Sequence, residues 1–139
     1  LREQGPRRYL AHRMDIDKPV FQMKPDIALL DQGHRVVVIA DAKWKLLDPQ
    51  DAKLGVSQAD LYQIQGYANR YGVKNVLLIY PAHSGLRPVY EMTLQGLHQS
   101  TLRVVAVDVV NTTLGWSTVS GELNPSASIH TNQPKSDLQ

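Results

Sequence analysis

Apolar positions along this chain fall into short blocks rather than one long period. Val36, Val37, Val38 and Ile39 form an unbroken β-branched run within residues 35–45, the pattern of a strand covered on both faces. Ahead of it, residues 20–30 (VFQMKPDIALL) predict a strand element interrupted at Pro25, because proline cannot donate to a ladder. Asp31-Gln32-Gly33-His34 supplies turn chemistry between the two, which predicts a hairpin.

The period then changes. Leu61, Ile64, Ala68 and Tyr71 form one helical stripe within residues 57–71. Ser57 is placed to cap that helix, with Asp60 at its third helical position, and Gly72 is placed to end it. Residues 46–56, with Pro49 and Gly55, read as the connection leading in. Further strands are predicted at 76–80, stopped by Pro81, and at 89–94 and 102–110. Residues 1–19 are basic and show no clear period, so they read as a lead-in with a short helix around Arg7 to Arg13. From Gly121 the chain is poor in apolar residues, which predicts a disordered tail over 121–139. The order strand, strand, helix, strand, strand, strand defines an α/β fold with a central sheet over residues 20–120.

Composition narrows the function classes. A chain of 139 residues can bury one real core and fits one domain. Cysteine is absent, which excludes disulfide scaffolds, thiol nucleophiles and cysteine-based zinc sites. No apolar run is long enough for a transmembrane helix, and residues 1–10 lack the apolar stretch of a signal peptide, so the expected compartment is the cytoplasm. There is no starting Met, and the lead-in is read as the remnant of a longer N-terminal region. A net charge of +2 is mild for a protein that grips DNA unaided. The charge is uneven, with Arg2, Arg7, Arg8, Arg13, Lys18 and Lys24 crowding the first 24 positions.

The candidate chemistry lies in Pro25-Asp26 and, fifteen positions after Asp26, Asp41-Ala42-Lys43. Side chains two apart on a strand share a face, so Asp41 and Lys43 point the same way at the end of the most apolar strand. A hairpin brings Asp26 beside Asp41. Two adjacent carboxylates repel unless a cation sits between them, and a hard divalent ion with oxygen ligands fits. Phosphodiester hydrolysis needs an activated water and compensation of charge on the phosphate, and a lysine ammonium beside such a metal serves both needs. Alone, a Pro-Asp pair is an ordinary turn element and Asp-x-Lys an ordinary ion pair; their order and spacing carry the reading. Gln63 and Tyr67 are four apart on one helix face, off the apolar stripe, where an amide and a phenol can reach the site.

Taken in order, KPDIALL, VVVIADAKWKLL and ADLYQIQGYANRYGVKNVLLIYP resemble the nuclease domain of the McrC family, the cutting subunits of 5-methylcytosine-specific McrBC restriction systems. The resemblance runs from Phe21 to Pro81 and weakens through the strand ending near Val110. It places the chain in the PD-(D/E)xK superfamily, and the Gln63-to-Tyr67 element is similar to the QxxxY motif of RecB-like nucleases. It implies a restriction-endonuclease-like fold, a central mixed sheet flanked by helices, and a magnesium-dependent DNA endonuclease in which manganese can substitute. Asp26 and Asp41 would then be metal ligands, with the Ala42 carbonyl a further one. Lys43 would be the catalytic lysine, supported by Gln63 and Tyr67. DNA and an McrB-type AAA+ GTPase are the implied partners. Two other readings stay open: a repair or recombination nuclease of the same superfamily, and an idle scaffold that docks on a GTPase. The family's partner-engaging N-terminal region is not visible here, and Glu3 is the only nearby candidate for an additional acid.

The remaining candidates read as structure or surface. His12, His34, His83, His98 and His130 have no zinc-ligand spacing, and there is no phosphate-binding glycine loop or nucleophile elbow at Ser84. Asp15 and Asp17 read as a solvated loop, Asp60 and Arg70 as solvated or capping residues, and Trp44 as packed in a core or interface.

Overall fold

The computed structural model describes residues 7–96, 99–110, 119, 121 and 122. Its elements in chain order are β1 (Arg8–Arg13), β2 (Lys18–Met23), β3 (Ile27–Leu30), β4 (Val36–Ala42), α1 (Gln58–Tyr71), β5 (Asn75–Pro81), β6 (Val89–Leu94) and β7 (Ser100–Val107). Five strands form one mixed sheet in the order β3-β4-β5-β7-β6. β3 runs antiparallel to β4, β5 runs parallel to both β4 and β7, and β6 closes the far edge antiparallel to β7.

The predicted hairpin is β3–β4. Its turn is held by the Asp31 carboxylate, which accepts from the Arg35 amide at 2.9 Å, and by the His34 amide donating to the Asp31 carbonyl at 3.0 Å. His34 takes φ 62, a left-handed conformation that the short turn demands. The helix also forms where its period predicts. The Ser57 hydroxyl accepts from the Asp60 amide, and Gly72 ends the helix at φ 66, with its amide donating to the Ala68 carbonyl.

Two apolar layers hold the sheet. On one face Ile39, Val76, Leu78, Tyr80, Leu102 and Val104 pack against Ile64, Tyr67 and Ala68 of α1. On the other, Val38, Ala40, Leu77 and Val105 pack with Val119. Alternation along β4 therefore assigns Asp41, two beyond Ile39, to the face that α1 covers.

Two expectations are corrected here. Residues 8–13 are not helical: Arg8–Arg13 pairs with Lys18–Met23 as a separate antiparallel hairpin. Residues 20–30 are accordingly not one interrupted strand, since Met23 ends β2 and Ile27 opens β3, with buried Pro25 at the break. Proline removes the ladder donor there, so the chain passes from one sheet to the other. The last strand ends at Val107 rather than Val110, where the Val110 amide folds back on the Asp108 carboxylate. The tail predicted over 121–139 lies outside the described residues except for 121 and 122, which are helical. Glu3 also lies outside them.

Candidate active site

Three chain segments meet at the carboxyl end of β4. Ile27 pairs with Ala40, so Asp26 falls opposite Asp41, one step further along the ladder. The Asp26 carboxylate accepts the Ala42 amide at 2.9 Å, which replaces a ladder bond with a side-chain bond. Within an extended strand a residue's N–H and C=O leave on the same edge, so the Ala42 carbonyl also faces the Asp26 side. Asp26 is exposed, whereas Asp41 is only 5% exposed. The pair therefore opens to solvent on one side and rests on the core at the other.

Burial raises the Asp41 pKa above the usual carboxylate range. The Lys43 ammonium opposes that shift and the neighbouring Asp26 reinforces it. Lys43 Nζ lies 2.6 Å from Asp41 Oδ2 and donates to Gln63 Oε1 at 2.6 Å. Gln63 in turn donates to the Tyr67 hydroxyl at 3.2 Å. Burial works against the charge on Lys43, but Asp41 and Asp60 outweigh it and raise its pKa. Lys43 is thus an ammonium and a hydrogen-bond donor in the metal-free protein. The Tyr67 ring packs in the core while its hydroxyl reaches the site; burial and the Asp41 charge raise its pKa, so the phenol keeps its proton. All five side chains singled out by sequence, Asp26, Asp41, Lys43, Gln63 and Tyr67, belong to one connected cluster.

Sequence reasoning undervalued two residues. Asp60 is not a solvated helix-start residue: its side chain is 12% exposed and pairs with Lys43 at 3.5 Å and with Lys45 at 3.3 Å. Tyr80 on β5 is 1% exposed, and its hydroxyl finds no partner among the described residues. Burial, together with the charges of Asp60 and Asp41, pushes its pKa up to about 12. A signal existed for both. Asp60 precedes Gln63 by one helical turn, and Tyr80 shares strand parity with Leu78, the register partner of Asp41. Of the two places read for Trp44, core or interface, the core is excluded: the side chain is 82% exposed. Arg70 is not simply solvated, since it donates to the Tyr9 carbonyl at 2.9 Å and ties the β1–β2 hairpin to α1.

The donor set suits a hard cation that takes few protein oxygens. No group of three or more His, Cys, Asp or Glu side chains converges among the described residues. Two carboxylates and a backbone carbonyl remain, the sparse oxygen set that magnesium tolerates while keeping waters and substrate oxygens. A cavity of about 550 Å³ lies elsewhere, at the opposite end of the sheet against Val36, Gly72 and Asn75. It contains none of these residues, and the chemistry outweighs its size.

A mixed five-stranded sheet with one packed helix, carrying acids and a lysine at the end of its second strand, is a restriction-endonuclease-like architecture. The family described as McrBC 5-methylcytosine restriction system component matches residues 1–81, and the chain belongs to that family. Among solved structures, the chain is similar to one in a half-complex from the tetradecameric assembly of Thermococcus gammatolerans McrB AAA+ hexamers with bound McrC. The two share 16% identity at a TM-score of 0.55, over 94% of this chain. This chain spans 30% of the length of that one. No curated protein sequence matched the chain. No helix among the described residues is long and apolar enough to cross a membrane.

Proposed function

We propose that this chain carries the magnesium-dependent DNA-cutting site of a modification-dependent restriction system. The observation that supports it most is the meeting of Asp26, Asp41 and Lys43, from two strands, at one end of the sheet. In this reading Asp26, Asp41 and the Ala42 carbonyl hold the metal. When bound, the ion supplies Lewis acidity at the scissile phosphate and lowers the pKa of attacking water. The chain's own residues do the rest. The Lys43 ammonium orients the water and offsets negative charge gathering on phosphate oxygens. Gln63 fixes the direction of that ammonium, and Tyr67 fixes Gln63. Ile64 and Leu78 back the cluster with apolar surface, which keeps its electrostatics strong.

An McrB-type GTPase belongs to this proposal as the partner, by analogy with the McrB assembly that holds the similar solved chain. The mild net charge of +2 agrees with a division of labour in which the partner captures DNA.

The experiment has two arms. Calorimetry with Mn²⁺ should give binding that disappears in Asp26→Ala and in Asp41→Ala. Incubation with the GTPase, methylated DNA and Mg²⁺ should give cutting that is lost in both variants and reduced to a small measurable rate in Lys43→Gln. Cutting that survives equally in Asp41→Ala would refute the site. Intact assembly with the GTPase and no metal binding at millimolar concentration would instead support a docking role.

A further inference from the structure

We propose that Asp60 is a positioning residue that holds the Lys43 ammonium in place when Asp41 turns to a metal ion. The inference rests on the nuclease reading above and adds a residue to it.

Lys43 has three acceptors around Nζ. Asp41 Oδ2 and Gln63 Oε1 each lie at 2.6 Å, and Asp60 Oδ1 lies at 3.5 Å. The shortest charged contact is also the one that a cation disturbs. A divalent ion held by the Asp41 carboxylate would repel the ammonium beside it. Gln63 is neutral and offers a dipole only. Among the described residues Asp60 is the other carboxylate paired with Lys43, and nothing in the site asks it to leave.

Asp60 is also built to stay where it is. It sits in the first turn of α1, where its own amide donates to Ser57 Oγ at 3.1 Å. Its two oxygens are shared between two ammonium groups, Oδ1 toward Lys43 and Oδ2 toward Lys45. The helix N-terminus favours a negative charge at this point. A carboxylate that is 12% exposed and 3.5 Å from the ammonium is therefore the end of the lysine's anchorage that a metal on Asp41 would leave in place.

The test is a double-mutant cycle on the protein with its GTPase partner, methylated DNA and Mg²⁺, joined to a readout that needs no cutting. Asp60→Asn keeps the shape and removes the charge. It should lower kcat for cleavage by about 10–100-fold, the size typical when a supporting partner is lost. KM and the Mn²⁺ affinity from calorimetry should stay within twofold (roughly the spread expected when no ligand is touched). Placed on Lys43→Gln, Asp60→Asn should add nothing, because residues that act through one another are non-additive. In ¹H–¹⁵N spectra at saturating Mg²⁺, the Lys43 ammonium signal, assigned by its loss in Lys43→Gln, should persist in the wild type and vanish in Asp60→Asn. Full additivity, unchanged kcat, or a persistent ammonium signal in Asp60→Asn would each overturn the proposal. Loss of Mn²⁺ affinity in Asp60→Asn would overturn it too, by making Asp60 a ligand. If Lys43→Gln and Asp41→Ala cut like wild type, the nuclease reading itself has failed, and that outcome is recognisable without Asp60.

Discussion

Replacing Lys43 by Met tests the electrostatics of the site without DNA or metal. Met keeps an unbranched apolar stem and removes the charge, so packing changes little. The substitution leaves Asp41, whose side chain is 7% exposed, without its nearest cation. Breaking a buried pair from one side costs about 3–5 kcal/mol when the remaining charge is trapped. Asp41 has an escape, because it can bind a proton. Holding a proton at pH 7 on a carboxyl of ordinary pKa 3.8 costs about 4.4 kcal/mol, at about 1.36 kcal/mol per unit, and at pH 5 only about 1.6 kcal/mol. Those two figures cap the penalty from this carboxyl. The sign follows from linkage: a carboxyl whose folded pKa is raised binds more protons folded than unfolded, so stability falls as pH rises above 3.8. Wild-type Asp41 already leans that way through burial, and loss of Lys43 extends the window upward. Urea denaturation in EDTA at pH 5, 6 and 7 should show a Lys43→Met penalty that grows with pH and stays under about 4.4 kcal/mol at pH 7. A penalty that is flat over this range, or absent at pH 7, would show that Asp41 is not a buried carboxylate dependent on Lys43.

Three shorter predictions accompany it. Tyr80→Phe removes a buried hydroxyl with no partner among the described residues, so it should raise metal-free stability by about 1 kcal/mol; a loss of that size in urea titrations would mean that the hydroxyl is bonded. Ser57→Ala removes the acceptor for the Asp60 amide and should cost about 1 kcal/mol, whereas Ser57→Gly should cost only a few tenths; equal losses would contradict the cap assignment. Mn²⁺ at a hundred times its Kd should stabilise the wild type by about 2.7 kcal/mol in thermal melts, an effect missing from Asp26→Ala; equal stabilisation of the variant would place the ion elsewhere.

What could be read in the sequence tracks burial. The β3–β4 hairpin and α1 were legible because their faces are covered, and coverage writes a period into the residues. Asp26, Asp41 and Lys43 followed from that period plus the length of a hairpin turn. The β1–β2 hairpin left no such trace. Almost every residue of Arg8–Arg13 is exposed, so nothing required alternation, and a helix was read where the chain forms a strand. Sequence could not separate core from interface for Trp44, because alternation gives the side but not whether this chain covers it; β4 has ended by then, and the ring lies outside the core. Asp60 was hidden by ambiguity. An Asp three residues after a Ser is an ordinary helix-start signal, and only coordinates reveal that its carboxylate also faces two lysines.

Topology explains why these groups gather at this end of the sheet and not the other. β3 is antiparallel to β4, so the start of β3, with Asp26, lies beside the end of β4. β5 is parallel to β4, so α1 between them must travel back along the sheet, and its first turns lie at the end that β4 has just reached. Asp60 and Gln63 are on those first turns. The same parallel pairing sets the end of β5, with Tyr80, alongside Lys43, whose amide donates to the Ile79 carbonyl at 2.8 Å. One antiparallel step and one parallel crossover thus bring four separate parts of the chain to the carboxyl end of one strand, where open α/β sheets generally place their ligands. At the opposite end the same connections supply the Asp31 turn and the close of α1 around a cavity lined by Arg8, Arg35 and Lys74, with Asp31 as its one carboxylate among the described residues. The site is therefore a consequence of strand order, and transplanting Asp41-Ala42-Lys43 onto β7, which has the same parallel and antiparallel neighbours but lacks the Asp26, Asp60 and Gln63 that meet at the end of β4, would not rebuild it.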